Sequence, residues 1–169
     1  AFHFESFEAF SPFSDVGPYR VADYWQLPEG EPVELIEGRF VLSPSPNILH
    51  QTIVLVLSEI LLKAARKVGG KVVLSPMDVI LSDDTIVQPD LLYITRSRRD
   101  IIKQRVEGTP DLVIEIISGS SRRDRVEKLA LYAKYGVAEY WIVDPDSQLI
   151  EFLINENGRY VVQSPANDQ

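Results

Sequence analysis

Residues 110–118, "PDLVIEIIS", read as one β-strand with a single residue out of place. Leu112, Val113, Ile114, Ile116 and Ile117 put apolar side chains on both faces, the pattern of a strand covered on both sides. Glu115 interrupts that run. An ionised carboxylate in such a setting is costly unless it is paired, hydrogen-bonded or bound to a metal. The stretch therefore marks a central position in a sheet and raises a question of chemistry.

Working outward, the chain alternates helix and strand signals. "VADYWQLPEG" predicts a short helix ended by Pro28 and Gly30, and "PVELIEGRFVLSPSP" a hairpin turning at Glu37-Gly38. "NILHQTIVLVLSEILLKAARKVGG" predicts a long helix with Asn47 as N-cap and Gly69-Gly70 as the stop. "KVVLS", "MDVILS" and "QPDLLYIT" read as strands with a turn at "SDDT", and "RSRRDIIKQRVEG" as a polar, partly helical connection. After the Glu115 strand come a helix over "SRRDRVEKLALYAKYG", the strand "EYWIVDP" and a terminal hairpin turning at Asn157-Gly158. This pattern predicts an α/β domain with a mixed sheet. Residues 1–20 read as an aromatic arm, 21–163 as a single domain and 164–169 as a tail.

With 169 residues the chain is long enough for one full core. It has no cysteine, which excludes disulfides and thiolate metal sites. Only two histidines are present, which argues against a multi-histidine zinc site. Its most apolar helix is interrupted by Gln51, Ser58, Glu59 and Lys63, so no run is expected to reach membrane-span length. The N-terminus lacks a signal-peptide pattern, and a cytoplasmic location is expected. The net charge of −8 argues against a general nucleic-acid binder. Residues 96–128 nevertheless carry 9 basic against 6 acidic residues, a local excess bracketing Glu115.

Which residues share a site with Glu115 follows from strand geometry. Asp111 lies four residues away on the same strand, about 13 Å, too far to bind one ion with it. Asp90 follows Pro89 at the start of "DLLYIT", a second strand apolar on both faces, and neighbouring strands lie about 4.8 Å apart. Two carboxylates at that range repel unless a proton or a cation sits between them. A hard ion such as Mg²⁺, with Mn²⁺ as a substitute, is the natural occupant. The position two beyond Glu115 on the same face holds Ile117, so a cation must come from elsewhere. Asp124, Lys128 and Tyr132 share a face of the following helix, which brings Lys128 toward the strand end if that helix packs back. Glu34, between Val33, Leu35 and Ile36, is another carboxylate in apolar company, and His50 sits in the first turns of the long helix.

The blocks "VELIEGRFVLSPSPNILHQ", "MDVILSDDTIVQPDLLYI", "TPDLVIEIIS" and "RRDRVEKLALYAKYGVAEYWIVDP" together resemble the Uma-two family of restriction-endonuclease-like proteins, over about residues 21–155. That resemblance implies the restriction-endonuclease-like PD-(D/E)XK nuclease fold, a central mixed β-sheet flanked by helices, and Mg²⁺-dependent hydrolysis of DNA phosphodiesters by a metal-activated water. Pro89-Asp90 resembles the first motif acid and Glu115 the second, so both are expected as metal ligands. The motif lysine would fall at Ile117, and Lys128 matches the lysine that family members carry in the next helix. Glu34 and His50 match an upstream glutamate and a helix-start histidine.

Each residue also has a structural alternative. Glu115 also reads as a structural acid bonded by a buried Arg or Tyr, Asp90 as a turn residue after proline, Lys128 as a partner of Asp124, Glu34 as a partner of a hairpin arginine, and His50 as a helix-start hydrogen-bonder. Arg122 and Arg123 fit phosphate contacts and equally a solvated helix end. The competing functions are a catalytically silent nuclease fold that binds nucleic acid or protein, and an interaction module whose aromatic arm packs on a second subunit. A homodimer is compatible with cleavage of two strands.

Overall fold

The structure, a computed structural model, describes residues 17–43, 45–117 and 122–163, without the side chains of Arg122, Arg123 and Asp124. Most of the expected arm and the tail 164–169 therefore lie outside the described residues, as do the side chains of the two arginines expected as phosphate contacts. In chain order the elements are α1 Val21–Tyr24, β1 Val33–Ile36, β2 Arg39–Leu42, α2 Ile48–Val68, β3 Lys71–Leu74, β4 Val79–Ser82, β5 Thr85–Val87 and β6 Leu91–Ile94. A 3₁₀ segment at Arg96–Ile101 leads to β7 Val106–Glu107 and β8 Leu112–Ile116. The chain continues through α3 Arg122–Lys134, β9 Glu139–Asp144, β10 Leu149–Glu156 and β11 Arg159–Val162.

The expected α/β fold with a mixed sheet is present, and its strands divide between two sheets. One runs β2-β1-β5-β4-β7, the other β11-β10-β9-β8-β6-β3. Residue patterning does not reveal the division because the diverting pieces are short: β5 has three residues and β7 two, below the length at which alternation can be read. The chain leaves the larger sheet after β3, makes the β4–β5 hairpin in the smaller one, and returns at β6. β8 lies where expected, in the interior of the larger sheet, parallel to β9 and antiparallel to β6.

Strand parity then sorts the side chains. Leu112, Ile114 and Ile116 of β8 pack with Leu91 and Val143 against Ile53, Val54, Leu57 and Leu61 of α2. Val113 faces the other way, into a core that also takes Ile36 of β1, Val87 of β5 and Leu131 and Tyr132 of α3. Glu115, two residues on, shares the Val113 face, toward α3 and the smaller sheet.

The predicted local signals are present. Asn47 caps α2 by accepting a hydrogen bond from the His50 N–H at 2.8 Å, and Gly69 ends it at φ 74°. Glu37-Gly38 and Asn157-Gly158 turn their hairpins with positive φ at both residues, the geometry that matches strand twist. The residues just before α1 lie on the first of these turns, with the Gly17 N–H donating to the Glu37 carbonyl at 2.7 Å.

The expectation about membrane-span length needs correcting. By length and composition α2 is apolar enough to cross a membrane, with 21 residues and a mean hydropathy of 1.6 over its most apolar 18. The polar residues at 51, 58, 59 and 63 are too few to lower that average. In this fold one face of α2 lies on β8, while Leu55, Val56 and Ile60 face outward. Ile114→Ala should therefore cost about 2–5 kcal/mol of unfolding free energy, and Leu55→Ala less than about 0.5 kcal/mol. Urea denaturation of both variants checks which face carries the docking; equal losses would contradict it.

Candidate active site

Glu34 and Glu115 reach the same place from different sheets. They are 3% and 7% exposed, two of only three buried polar or charged residues among those described. Glu34 shares the inward face of β1 with Ile36, and Glu115 that of β8 with Val113. Between them stands the Lys128 amine, 2.8 Å from Oε1 of Glu115 and 3.1 Å from Oε1 of Glu34. One turn further along α3, the Tyr132 hydroxyl donates to the same Glu115 oxygen at 2.7 Å. The backbone N–H of Gln88 donates to Oε1 of Glu34 at 2.7 Å. On each glutamate all these donors converge on Oε1, and no described protein group bonds Oε2.

Asp90 stands beside this cluster because β6 and β8 pair with Leu91 opposite Ile114, which brings the residue before Leu91 next to Glu115. The Ile116 N–H donates to its Oδ2 at 2.8 Å. Its Oδ1 lies 3.1 Å from His50 Nε2, while His50 Nδ1 is buried and has no protein partner. Asn47, by capping α2, fixes the turn that carries His50.

The electrostatics follow from burial and an imbalance of charge. Burial pushes the Glu115 carboxyl up to about 7; Lys128 pulls it down, and Asp90 and Glu34 push it further up. Burial alone would lower the Lys128 ammonium, but Glu115 and Glu34 overcome this and hold it above its ordinary value. Burial, reinforced by Glu115, keeps the Tyr132 hydroxyl well above its usual range, so it remains a proton donor. Three carboxylates thus face one ammonium.

These residues open on a cavity of about 940 Å³, lined among others by Glu34, Asp90, Glu115, Lys128 and His50. Among the described residues no three His, Cys, Asp or Glu side chains form a metal-holding group. The donor set nonetheless fits a hard divalent ion. It is all oxygen, carries surplus negative charge and leaves Oε2 of both glutamates without a protein donor. Mg²⁺ is commonly held by one or two carboxylates, with water and phosphate oxygens completing its shell.

All five residues expected at the site from the sequence, Asp90, Glu115, Lys128, Glu34 and His50, therefore come together. Tyr132 and Gln88 join them unforeseen. Tyr132 had a signal, its place one turn after Lys128 on the same face; Gln88 had none, because it contributes through its backbone. The structural alternative for Glu115, a bond from a buried tyrosine, is met as well, so the residue has both kinds of partner. Asp111 is elsewhere, accepting from the Thr95 N–H and from Arg98 at the other end of β8. The basic stretch is largely committed to ion pairs: Arg98 to Asp111, Lys103 to Glu107, Arg105 to Asp78 and Arg125 to Glu151.

Residues 21–169 match the family described as "Uma2: Putative restriction endonuclease". The chain belongs to this family. The fold of this Uma2-family chain is also that of a solved structure, "a putative nuclease belonging to DUF820 from Anabaena variabilis ATCC 29413". The two share a TM-score of 0.74 at 22% sequence identity, over 88% of this chain and 86% of the other. That likeness shows the fold alone. Among curated proteins, none matches this chain.

The raised Glu115 carboxyl has a sign that can be measured. Its folded value of about 7 stands above the ordinary 4.5, so between these the folded chain keeps a proton the unfolded chain has released. Its contribution to stability is complete below 4.5 and is lost as pH rises through about 7. Glu115→Gln should thus gain stability relative to wild type as pH rises across that window, in urea titrations with chelator present. A difference that does not change with pH would contradict the assignment.

Proposed function

We propose that this chain is a divalent-metal-dependent endonuclease that hydrolyses DNA phosphodiester bonds. The observation that carries the proposal is the Lys128 amine held at once by Glu34 and Glu115, at 3.1 and 2.8 Å, beside Asp90. A lysine from α3 thereby supplies the cation that β8 lacks at Ile117. Asp90 and Glu115 would hold Mg²⁺ or Mn²⁺, with Glu34 fixing the Lys128 amine beside them. When bound, the ion supplies Lewis-acid stabilisation of the phosphate and lowers the pKa of water beside it.

The chain's own groups do the rest. Tyr132 and Lys128 both hold Oε1 of Glu115, which leaves Oε2 for the ion. His50 orients Asp90 through Nε2. Lys128 has three N–H donors, of which the two glutamates take two. The third is available to a phosphate oxygen or to the attacking water, where a fixed positive charge stabilises the charge that develops.

One observation favours the catalytically silent alternative. Both oxygens of Asp90 already have protein partners, His50 and the Ile116 N–H, so Asp90 is satisfied without a metal. Incubation of plasmid and oligonucleotide DNA with the chain in Mg²⁺ or Mn²⁺ separates the two. Wild type should cleave, and Asp90→Asn, Glu115→Gln and Lys128→Met, checked for folding by circular dichroism, should each lose at least about 100-fold. No cleavage by wild type in either metal, with DNA binding unchanged in Asp90→Asn, would overturn the proposal in favour of a binding module.

A further inference from the structure

The far wall of the same cavity carries a second constellation that the acid–lysine cluster does not use. Trp25, just after α1, is 39% exposed, unusual for a side chain that usually buries most of its surface. The Arg105 guanidinium lies over its ring, 3.8 Å from the centroid. Tyr24 meets the Trp25 ring edge-on at 4.9 Å and 84°. Both residues line the cavity that contains Glu34 and Glu115.

The pair is held from behind. Arg105 Nε lies 3.6 Å from Asp78 Oδ2. The other oxygen of Asp78 accepts from the Tyr24 hydroxyl at 2.9 Å and from Gln88 Nε2 at 2.8 Å. Gln88 is also the residue whose backbone N–H holds Glu34. One residue thus fixes both the aromatic–guanidinium stack and a carboxylate of the acid–lysine cluster. Arg105 meets Asp78 only through Nε; among the described residues, neither of its terminal nitrogens has a hydrogen-bond acceptor.

From this geometry we infer that Trp25 and Arg105 form a nucleotide subsite that stacks an unpaired base and binds its phosphate, so that the preferred substrate is DNA with a single-stranded segment. Aromatic rings and guanidinium planes stack on base faces, and those faces are accessible only where bases are unpaired. The terminal nitrogens of Arg105 match phosphate oxygens in a planar fork. The charge balance agrees. A chain of net charge −8 draws little from general attraction to the phosphate backbone, so a local stacking contact must supply affinity. This deepens the endonuclease proposal and rests on it for the identity of the substrate.

The experiment is fluorescence anisotropy with the whole chain and a short labelled phosphorothioate oligonucleotide, single-stranded or annealed to its complement, chosen to resist hydrolysis. Wild type should bind the single strand at least about fivefold more tightly than the blunt duplex. Trp25→Ala should remove that preference and Trp25→Phe should keep it. Arg105→Lys should weaken single-strand binding by more than about threefold, since an ammonium cannot replace the planar fork. Melting temperatures show whether each variant folds. Equal affinity for the two forms, or folded Trp25→Ala that binds single strands like wild type, would overturn the subsite. Loss of the preference in Trp25→Ala without any metal-dependent cleavage would keep the subsite and sink the endonuclease proposal. Cleavage that depends on Glu115, with binding unchanged in Trp25→Ala, would do the reverse.

Discussion

A single buried carboxylate oxygen, Oε1 of Glu115, receives the Lys128 ammonium and the Tyr132 hydroxyl, and the same ammonium reaches Glu34 on the opposite sheet. That contact joins β8, α3 and β1, three elements that also share an apolar core through Val113, Leu131, Tyr132 and Ile36. Such a cluster adds little net stability over an apolar core of the same shape, but removing one partner is costly, about 3–5 kcal/mol, because the remaining charges lose their counterpart. A fold that keeps a lysine and two glutamates in its interior has accepted that sensitivity. The geometry it obtains is a fixed ammonium beside carboxylate oxygens that still lack donors.

The cavity follows from the same arrangement. The chain returns from the smaller sheet to the larger through Gln88-Pro89-Asp90, and both ends of this crossing are tied: Gln88 to Glu34, Asp90 to the backbone of β8 and to His50. The seam between the sheets therefore cannot close without displacing bonded groups. α2 contributes His50 from its capped first turn, and the Trp25–Arg105 stack hangs on Asp78, which Gln88 also holds. Acid cluster and aromatic wall share one cavity because they share this crossing segment.

What could be read in the sequence was what depends on local pattern. Glu115 betrays itself by breaking an apolar run, and Asp90 by opening a second such run after a proline. Lys128 was legible through helical spacing once Ile117 was seen to lack a charge. The turns at Glu37-Gly38 and Asn157-Gly158 and the cap at Asn47 are set by residue chemistry, and each is present. What escaped depends on tertiary pairing. β5 and β7 are too short to show alternation, so the second sheet was invisible. Gln88 acts through its backbone, which no side-chain pattern reports. Arg105 and Trp25 lie far apart in sequence and meet because β7 pairs with β4 in the smaller sheet, which sets Arg105 and Tyr24 on the same Asp78. The basic excess from 96 to 128 is legible as a count, but which of its cations are free is not, and most of the described ones pair with acids.

The most direct test of the central claim is calorimetric titration of Mg²⁺ and Mn²⁺ into wild type and Glu115→Gln, in two buffers of different ionisation enthalpy at slightly acid pH. If Glu115 is buried to hold a metal, wild type binds one or both ions with release of a proton, and the variant, while folded, does not. Binding of equal strength in both proteins, or no binding by wild type even with a phosphorothioate oligonucleotide present, would make Glu115 a structural acid and contradict the account.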